Sequence, residues 1–163
     1  AVGDGVTKDT AAIERTVAAI SAAGSGTMLF PGGGRYLTGP FNLTSHITVF
    51  VDWDATILGS TDKEDWPIIP ALPSYGQGKH GKVAGAGRRM SLIHGEHLDD
   101  VVLTGHNGTV DVQGAVWWTQ KVKGETPPHL FELMWSTNVE ISNLTLTNSP
   151  FWTVHPVYVQ GFV

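Results

Sequence analysis

The sequence SLIHGEHLDDVVLTG, residues 91–105, returns 38 positions later as HLFELMWSTNVEISN, residues 129–143. Laid over one another without a gap, both copies show a polar residue, an alternating apolar run, a turn and a second short apolar run. An earlier copy has its first run at 46–49 and its second at 55–58. Because residues 112–128 read as an insertion between the two clear copies, the repeating unit is about 20–25 residues long.

This repeat predicts an all-β solenoid, in which each coil buries its apolar face only by stacking on its neighbours. The strands are short and no helices lie between them, so a parallel β-helix fits the pattern better than a leucine-rich repeat. We treat residues 1–163 as a single domain of this type. An immunoglobulin-like sandwich is the alternative, since it explains short strands, but it explains neither the leading helix nor the aligned copies.

The chain begins with a predicted amphipathic helix at about residues 9–23. Asp9 or Thr10 can cap its first turn, and Gly24 is a favoured residue just after a helix end. The apolar residues that fall on one face at helical spacing are Ala12, Ile13, Val17 and Ile20. Since a solenoid has an open first coil, we expect this helix to cover it.

Beyond Gly24 the apolar period changes from that of a helix to that of strands. The short runs of β-forming residues are 27–30, 35–38, 47–51 and 56–58, separated by turns rich in Gly and Pro. Residues 59–90 break this rhythm with many glycines and read as a long excursion from the scaffold. Long loops in compact domains are usually functional or mobile.

Composition narrows the classes of function. The formal net charge is −5 and only 15% of residues are charged, so no nucleic-acid partner is expected. The absence of cysteine excludes disulfides, thiolate zinc sites and a cysteine nucleophile. No apolar run approaches the roughly 20 residues that span a bilayer, so no membrane partner is expected. Sequons at Asn42, Asn107 and Asn143 agree weakly with secretion.

Asp99 and Asp100 form a carboxylate pair, the kind of pair that drives glycoside hydrolysis. The aligned copies fill the same place with Ser45-His46 and Thr137-Asn138. A role in the turn between coils is therefore the better interpretation of this pair.

His94, Glu96 and His97 are residue types that bind metal ions, and they lie within four positions of one another. Strand alternation does not bring all three to one face, so we interpret them as surface turn residues. No metal ion or other cofactor is predicted.

Trp117 and Trp118 open the 112–128 insertion, in a loop rich in Lys, Gly and Pro. Two interpretations stay open for this pair. The rings are either part of the core or surfaces on which sugar rings stack.

Further motifs follow one another along the chain in a specific order. They are GDGVTKDTAAI at 3–13, LPSYG at 72–76, SLIHG at 91–95, NGTVD at 107–111, QGAVWW at 113–118, PHLFEL at 128–133, ISNLTLTNSPFW at 141–152 and HPVY at 155–158. Together they resemble glycoside hydrolase family 28, the polygalacturonases, and most of all its plant-type branch. The resemblance covers nearly the whole chain.

The resemblance implies a right-handed parallel β-helix that hydrolyses α-1,4-linked galacturonan with inversion and without a metal. In that family an acid and a base carboxylate come from Asn-Thr-Asp and Asp-Asp motifs, assisted by Gly-His-Gly and Arg-x-Lys motifs. Asn-Thr-Asp, Gly-His-Gly and Arg-x-Lys do not occur here, and Asp99-Asp100 precedes the Asn-Ser-Pro segment that the family's pair follows. We therefore expect the scaffold to be truncated on its C-terminal side, with the catalytic carboxylates beyond Val163.

The resemblance also guides the remaining expectations for this chain. We predict no catalytic residue, because His155 has no partner with which to act as a base. The predicted substrate-binding residues are His155, Trp152, Trp117 and Trp118, with His155 either facing the groove or packed and hydrogen-bonded. We expect a secreted, cell-wall or extracellular protein that contacts pectin and self-associates through its exposed last coil. The alternative function is a truncated, non-catalytic carbohydrate-binding or interaction protein.

Overall fold

A computed structural model describes residues 1–72, 87–118 and 126–163 of the chain. These residues form one long helix, α1 (Thr10–Ala23), a single-turn helix, α2 (Ala115–Trp118), and short strands. The first strands are β1 (Asp4–Lys8), β2 (Gly26–Phe30), β3 (Arg35–Thr38), β4 (Phe41–Asn42), β5 (Ile47–Val51), β6 (Thr56–Gly59), β7 (Ile68–Ile69) and β8 (Arg88–Arg89). The later strands are β9 (Ile93–Glu96), β10 (Asp99–Gly105), β11 (Gly108–Asp111), β12 (Phe131–Met134), β13 (Thr137–Ile141), β14 (Leu144–Thr147), β15 (Val154–Val157) and β16 (Gln160–Phe162).

Three parallel sheets wrap around one core. Sheet A has the order β1-β3-β6-β11-β14, sheet B the order β2-β5-β10-β13-β16, and sheet C the order β4-β9-β12-β15. Neighbouring strands in each sheet come from successive coils, and all these pairs are parallel. The predicted parallel β-helix is confirmed, and the sandwich alternative is wrong because a sandwich is built from antiparallel sheets.

The 38-residue offset between the two clear copies is the stacking register. Ile93 pairs with Phe131 in sheet C, and Val101 pairs with Val139 in sheet B. The earlier copy is displaced from its predicted place, because Ile47 pairs with Val101 and so matches the second run of the next copy. The true first run of that coil is the two-residue strand β4, which is too short to show a period.

Alternation along the strands places one apolar column per sheet in the interior. In β5 the side chains of Ile47, Val49 and Val51 are buried, and those of Thr48 and Phe50 are only partly covered. Val101 and Leu103 of β10 continue the column in the next coil. Stacked identical positions thus build a continuous core from strands that are individually too short to hold one.

Helix α1 packs against β2 and β4 at the first coil, as predicted. Its buried side chains are Ile13, Val17 and Ile20, whereas Ala12 is only partly buried. Gly24 ends the helix at a φ of 86°, with its N–H donating to the Ser21 carbonyl, so the predicted C-terminal glycine is confirmed.

The predicted side-chain cap of α1 is wrong. Asp9 occupies the cap position, but its carboxylate accepts hydrogen bonds from the N–H groups of Val2 and Gly3 at 2.5 and 3.0 Å. The Thr10 hydroxyl accepts from the Gly39 N–H at 2.9 Å. Both side chains therefore tie the helix to neighbouring segments, whose amide groups compete with the helix for these oxygens.

The described parts of the 59–90 excursion pack closely on the coils. Lys63–Asp65 is a 3-10 helix, the Trp66 side chain is fully buried, and β7 pairs antiparallel with β8. The Trp66 indole N–H donates to the Ser60 carbonyl at 3.0 Å. Residues 73–86 of this excursion and 119–125 of the predicted insertion lie outside the described residues, as does most of the LPSYG motif. Among the helices described, none has the length and apolarity needed to cross a bilayer.

Candidate functional site

A column of polar side chains runs along sheet C, where apolar residues fill the neighbouring positions. His94 of β9 pairs in register with Glu132 of β12, and Glu132 pairs with His155 of β15. Adjacent strands in a sheet lie about 4.8 Å apart, so side chains at matching positions meet directly. All three side chains are nonetheless buried.

Glu132 is the centre of this column and is 0% exposed. One carboxylate oxygen, Oε1, pairs with the Arg88 guanidinium, which β8 brings from the 59–90 excursion, and lies 3.4 Å from His94 Nδ1. The other oxygen, Oε2, lies 2.6 Å from His155 Nδ1. Burial alone raises the pKa of Glu132, but hydrogen bonds from His94 and Arg88 outweigh it and lower the pKa to about 2. The carboxylate is therefore ionised across the physiological range.

His129 lies beside this carboxylate, just before β12, and is buried. Its Nε2 is 3.6 Å from Glu132 Oε2, while its Nδ1 accepts a hydrogen bond from the Trp152 backbone N–H at 3.3 Å. Burial lowers the pKa of His129 to about 4 despite the opposing charge of Glu132. The ring is neutral at pH 7, and because Nδ1 accepts, its proton is on Nε2.

His129, Glu132 and His155 place one ligand-type atom each within 4.8 Å of one another. The donor set fits a hydrogen-bonded network better than a divalent cation. Arg88 already contributes a positive charge to the same carboxylate, and the His129 Nε2 lone pair is taken by its proton. A metal ion would have to displace that proton and lie near the guanidinium.

The interpretation of His94 as a surface turn residue is wrong. The residue is buried because the excursion carrying Arg88 covers this face of sheet C. His97 does lie in a turn, exposed, with a φ of 56° and its ring stacked on Trp135 at 5.2 Å.

Asp99 and Asp100 lie at the corner between coils, as predicted. Asp99 accepts hydrogen bonds from the Thr137 hydroxyl and the Asn138 amide at 2.5 and 2.9 Å, both in the next coil. Asp100 has a φ of 59° and lies 3.2 Å from the His46 ring, in the preceding coil. These contacts explain the pair as corner residues that join successive coils.

Three exposed aromatic side chains lie on the segment next to the buried column or are hydrogen-bonded to it, and we call Trp118, Phe151 and Trp152 the aromatic rim. Trp118 and Trp152 are 58% and 47% exposed. The Trp118 indole N–H donates to the Ser149 carbonyl at 3.2 Å, and the rings of Phe151 and Trp152 stack with centroids 5.3 Å apart. The hydrogen bond of Trp118 thus ties it to the segment that carries the stacked pair.

Trp117 and His155 lie inside the molecule. Trp117 is 5% exposed and meets the Trp66 ring edge-on at 5.8 Å, so of the two open interpretations the structure places it in the core. His155 is packed and hydrogen-bonded to Glu132, and its ring meets the Trp152 ring at 72°, with the two centroids 4.6 Å apart. A substrate role for the four predicted residues stays a prediction, and only Trp118 and Trp152 offer exposed rings for it.

Glu132, Arg88 and His129 were not singled out from the sequence. A signal for Glu132 was present, because a glutamate in the apolar run LFELM aligns with His94. A charged residue at the same strand position in successive coils indicates a shared polar column. No comparable signal existed for Arg88, which is 44 residues away from Glu132 in a glycine-rich segment.

Comparison of the sequence and the fold with known proteins identifies the family of this chain. The profile described as Glycosyl hydrolases family 28 matches residues 31–160. A Vitis vinifera protein named "Probable polygalacturonase" is 51% identical over 99% of this chain, which spans 33% of that protein's length. An exopolygalacturonase from Thermotoga maritima superposes on 98% of the chain with a TM-score of 0.76 at 21% identity, covering 42% of that structure.

A family 28 exopolygalacturonase from Yersinia enterocolitica superposes on 99% of the chain with a TM-score of 0.75 at 19% identity, covering 37% of that structure. The two superpositions support the parallel β-helix fold. The profile match covers well over half of the chain, and the Vitis protein aligns with nearly all of it. The chain belongs to glycosyl hydrolases family 28.

Proposed function

We propose that this chain forms the cap, the first coils and one groove wall of a polygalacturonase-like hydrolase that cleaves the galacturonan of pectin with inversion. The observation that carries the proposal is the 51% identity to the Vitis protein across nearly the whole chain. Inverting hydrolysis needs an acid and a base carboxylate separated widely enough to admit a water molecule.

The two carboxylates are not assigned to any of the 163 residues. The family's Asn-Thr-Asp, Gly-His-Gly and Arg-x-Lys motifs do not occur in them, and the Asp99-Asp100 pair has a role at a coil corner. We propose that residues outside these 163 supply the acid and the base. In this proposal the described coils hold the fold, and the aromatic rim contacts the polysaccharide.

The proposal includes secretion to the cell wall or the extracellular space, where pectin is found. The Vitis relative's name supports this, and so do the sequons, whose asparagines Asn42, Asn107 and Asn143 are all exposed. To test this part of the proposal by itself, the protein is fused to a reporter in plant cells, and the reporter is measured outside the cells.

Reducing-end release from polygalacturonate tests the catalytic part. We expect no release by the 163-residue polypeptide, and release when it is joined to, or mixed with, the segment of the Vitis protein that follows the aligned region. NMR of the first product should show the inverted anomer. Turnover by the purified 163 residues alone would contradict the assignment of acid and base, and an inactive joined protein would contradict the proposed hydrolase.

A non-catalytic carbohydrate-binding protein is the second candidate, and the exposed aromatic rim favours it. Sugar rings stack on exposed aromatic faces without any need for catalytic groups. Trp152→Ala should weaken binding of the 163-residue polypeptide to pectin. Trp135→Ala is the matched control, because Trp135 is also exposed and stacked, between His97 and Tyr158, at a different corner. Binding that persists in the joined protein without any turnover would favour this second candidate.

A further inference from the structure

The corner that carries Trp152 is fastened to the preceding coil through its backbone. The Trp152 carbonyl accepts hydrogen bonds from the Leu130 N–H at 3.1 Å and the Ser149 hydroxyl at 2.8 Å. The Trp152 N–H donates to His129 Nδ1 at 3.3 Å. The His129 ring also contacts the ring of Trp152, with centroids 5.6 Å apart. One of the hydrogen bonds that position this exposed residue thus comes from a buried imidazole.

This hydrogen bond requires an unprotonated Nδ1. A neutral imidazole with its proton on Nε2 has a lone pair at Nδ1, whereas the imidazolium ion donates from both nitrogens and accepts at neither. Protonation would set an N–H of the ring against the N–H of Trp152. The contact is therefore available in only one charge state of His129.

The groups around His129 come from four strands. Glu132 of β12 attracts a proton to the ring, while Arg88 of β8, His94 of β9 and His155 of β15 oppose it. Both oxygens of Glu132 are already engaged by Arg88 and His155. The buried surroundings thus favour the neutral ring that the hydrogen bond to Trp152 needs.

We propose that His129 is a positioning residue, whose neutral ring holds the Trp152 corner and so sets the pose in which the aromatic rim meets galacturonan. The proposal rests on the proposed function for the identity of the ligand, but the hydrogen bond itself does not. In acid, the ring gains a proton, the N–H of Trp152 loses its bond to Nδ1, and the corner is held only by its remaining contacts. The rim then binds the polysaccharide less well.

Two substitutions distinguish loss of the hydrogen-bond acceptor at Nδ1 from loss of the titrating imidazole. In His129→Asn the side-chain oxygen lies where Nδ1 was, so the acceptor is kept without a group that titrates. In His129→Gln the amide lies farther out, nearer the former Nε2, so the acceptor is lost. Far-UV circular dichroism at each pH establishes that each variant remains folded.

Tryptophan fluorescence between pH 7 and pH 3 tests the corner without any ligand. We expect the wild type to show a transition near the pKa of His129, about 4, and His129→Asn to show none. The same titration in Trp152→Phe identifies the part of the signal that comes from Trp152. An unchanged transition in His129→Asn would overturn the proposal.

Binding of oligogalacturonate connects the corner to function. At pH 7 we expect about tenfold weaker binding by His129→Gln and near wild-type binding by His129→Asn. On acidification the affinity should fall further for the wild type than for His129→Asn. Because protonation of the oligogalacturonate affects both proteins equally, it cancels in this comparison. Equal affinity of the wild type and the Gln variant would overturn the positioning role.

The outcomes distinguish this proposal from the proposed function. If no variant and no wild type binds the oligosaccharide, but the fluorescence transition behaves as expected, the proposed function fails and His129 still positions Trp152. If both variants fail to fold, nitrogen NMR of the wild-type imidazole decides. We expect an unprotonated Nδ1 and a protonated Nε2 at pH 7, and a protonated Nδ1 would overturn the proposal.

Discussion

Glu132 has no exposed surface, yet its environment keeps it charged. An isolated carboxylate loses several kcal/mol when it leaves water, so partners must replace its hydration. Arg88, His94 and His155 provide those partners from three separate strands. Since Arg88 is also buried, each member of the ion pair depends on the other.

Replacement of Glu132 by Ala should therefore be severely destabilising. We expect a loss of about 3–5 kcal/mol in the free energy of unfolding, because Arg88 is left buried without its carboxylate. Urea unfolding followed by circular dichroism measures this loss. Glu140→Ala is the matched control, since Glu140 is exposed on β13, and it should change stability by less than about 0.5 kcal/mol. A loss below about 1 kcal/mol in Glu132→Ala would contradict the role given to the pair.

The same residues predict how stability depends on pH. The pKa of His129 is about 4 in the folded chain and 6.5 in the reference state, so the unfolded chain binds the proton more readily. Stability is thus fully present above pH 6.5 and is lost as the pH falls from 6.5 to 4. For Glu132, with pKa values of about 2 and 4.5, the corresponding loss occurs between pH 4.5 and pH 2.

Across each of these two pH windows the free energy of unfolding should fall by about 3 kcal/mol at most. Urea unfolding at pH 7.5, 5.5 and 4 measures the first window. His129→Asn should flatten it and leave the second unchanged. Stability that rises on acidification from pH 6.5 would have the wrong sign for a buried neutral histidine.

For single residues, the sequence indicates which side chains could have a role but not which of them the fold buries. His155 and Trp152 follow from the resemblance, but the burial of His155 and Trp117 depends on segments distant in the chain. Trp117 is covered by Trp66 of the excursion, 51 positions earlier in the sequence. A local pattern contains no information about such a partner.

The coil corners show why asparagine and glycine recur between the strands. Aligned positions where the strands of sheet B begin carry His46, Asp100, Asn138 and Gly161, with φ angles of 56°, 59°, 53° and 66°. Left-handed backbone costs most residues roughly 1 kcal/mol or more, but glycine adopts it freely and asparagine and aspartate tolerate it. Each coil thus turns by the same conformation at the same place.

Substitutions at Asn138 test this account of the corner. Asn138→Val should reduce the free energy of unfolding by about 2 kcal/mol, because a β-branched residue is strained at positive φ. Asn138→Gly should stay within about 1 kcal/mol of the wild type, although both variants lose the amide contact to Asp99. Thermal and urea unfolding compare the two directly. If the Gly variant is as unstable as the Val variant, the side-chain contact and not the backbone conformation matters here.

Strands with a clear alternation were predicted closely, whereas the N-terminal cap of α1 and the shortest strands were not. The run 47–51 coincides with β5, and 35–38 with β3. The two-residue strand β4 has no periodic signal in the sequence, because two residues show no period. The cap of α1 was missed since Asp9 bonds to the amides of Val2 and Gly3, a choice made by tertiary structure.

For the whole molecule, stacking is what the repeat predicts best. The 38-residue offset gives the register of sheets B and C between two coils, whereas the 54-residue offset to the earlier coil is obscured by the excursion. The placement of the excursion over sheet C, which creates the buried column, follows from no repeat. Fold class is thus a property of the periodic residues, whereas the burial of the column depends on residues outside the period, such as Arg88.

The last described coil leaves one edge of each sheet without a neighbour among the described residues. Strands β14, β15 and β16 are the terminal strands of sheets A, C and B. Phe162 and Val163 at this edge are 39% and 81% exposed. Unpaired edge amides beside exposed apolar side chains form a template on which another strand can pair.

When the 163-residue polypeptide is produced by itself, we expect it to associate through this edge. Sedimentation velocity over a range of concentrations should show a shift from monomer to larger species. Phe162→Lys should suppress that shift, because a charge on an edge strand disfavours strand pairing. Trp53→Lys is the matched control, since Trp53 is 71% exposed in the turn between β5 and β6, three coils away, and should leave association unchanged. A monodisperse monomer at high concentration, or equal suppression by both variants, would contradict association through the last coil.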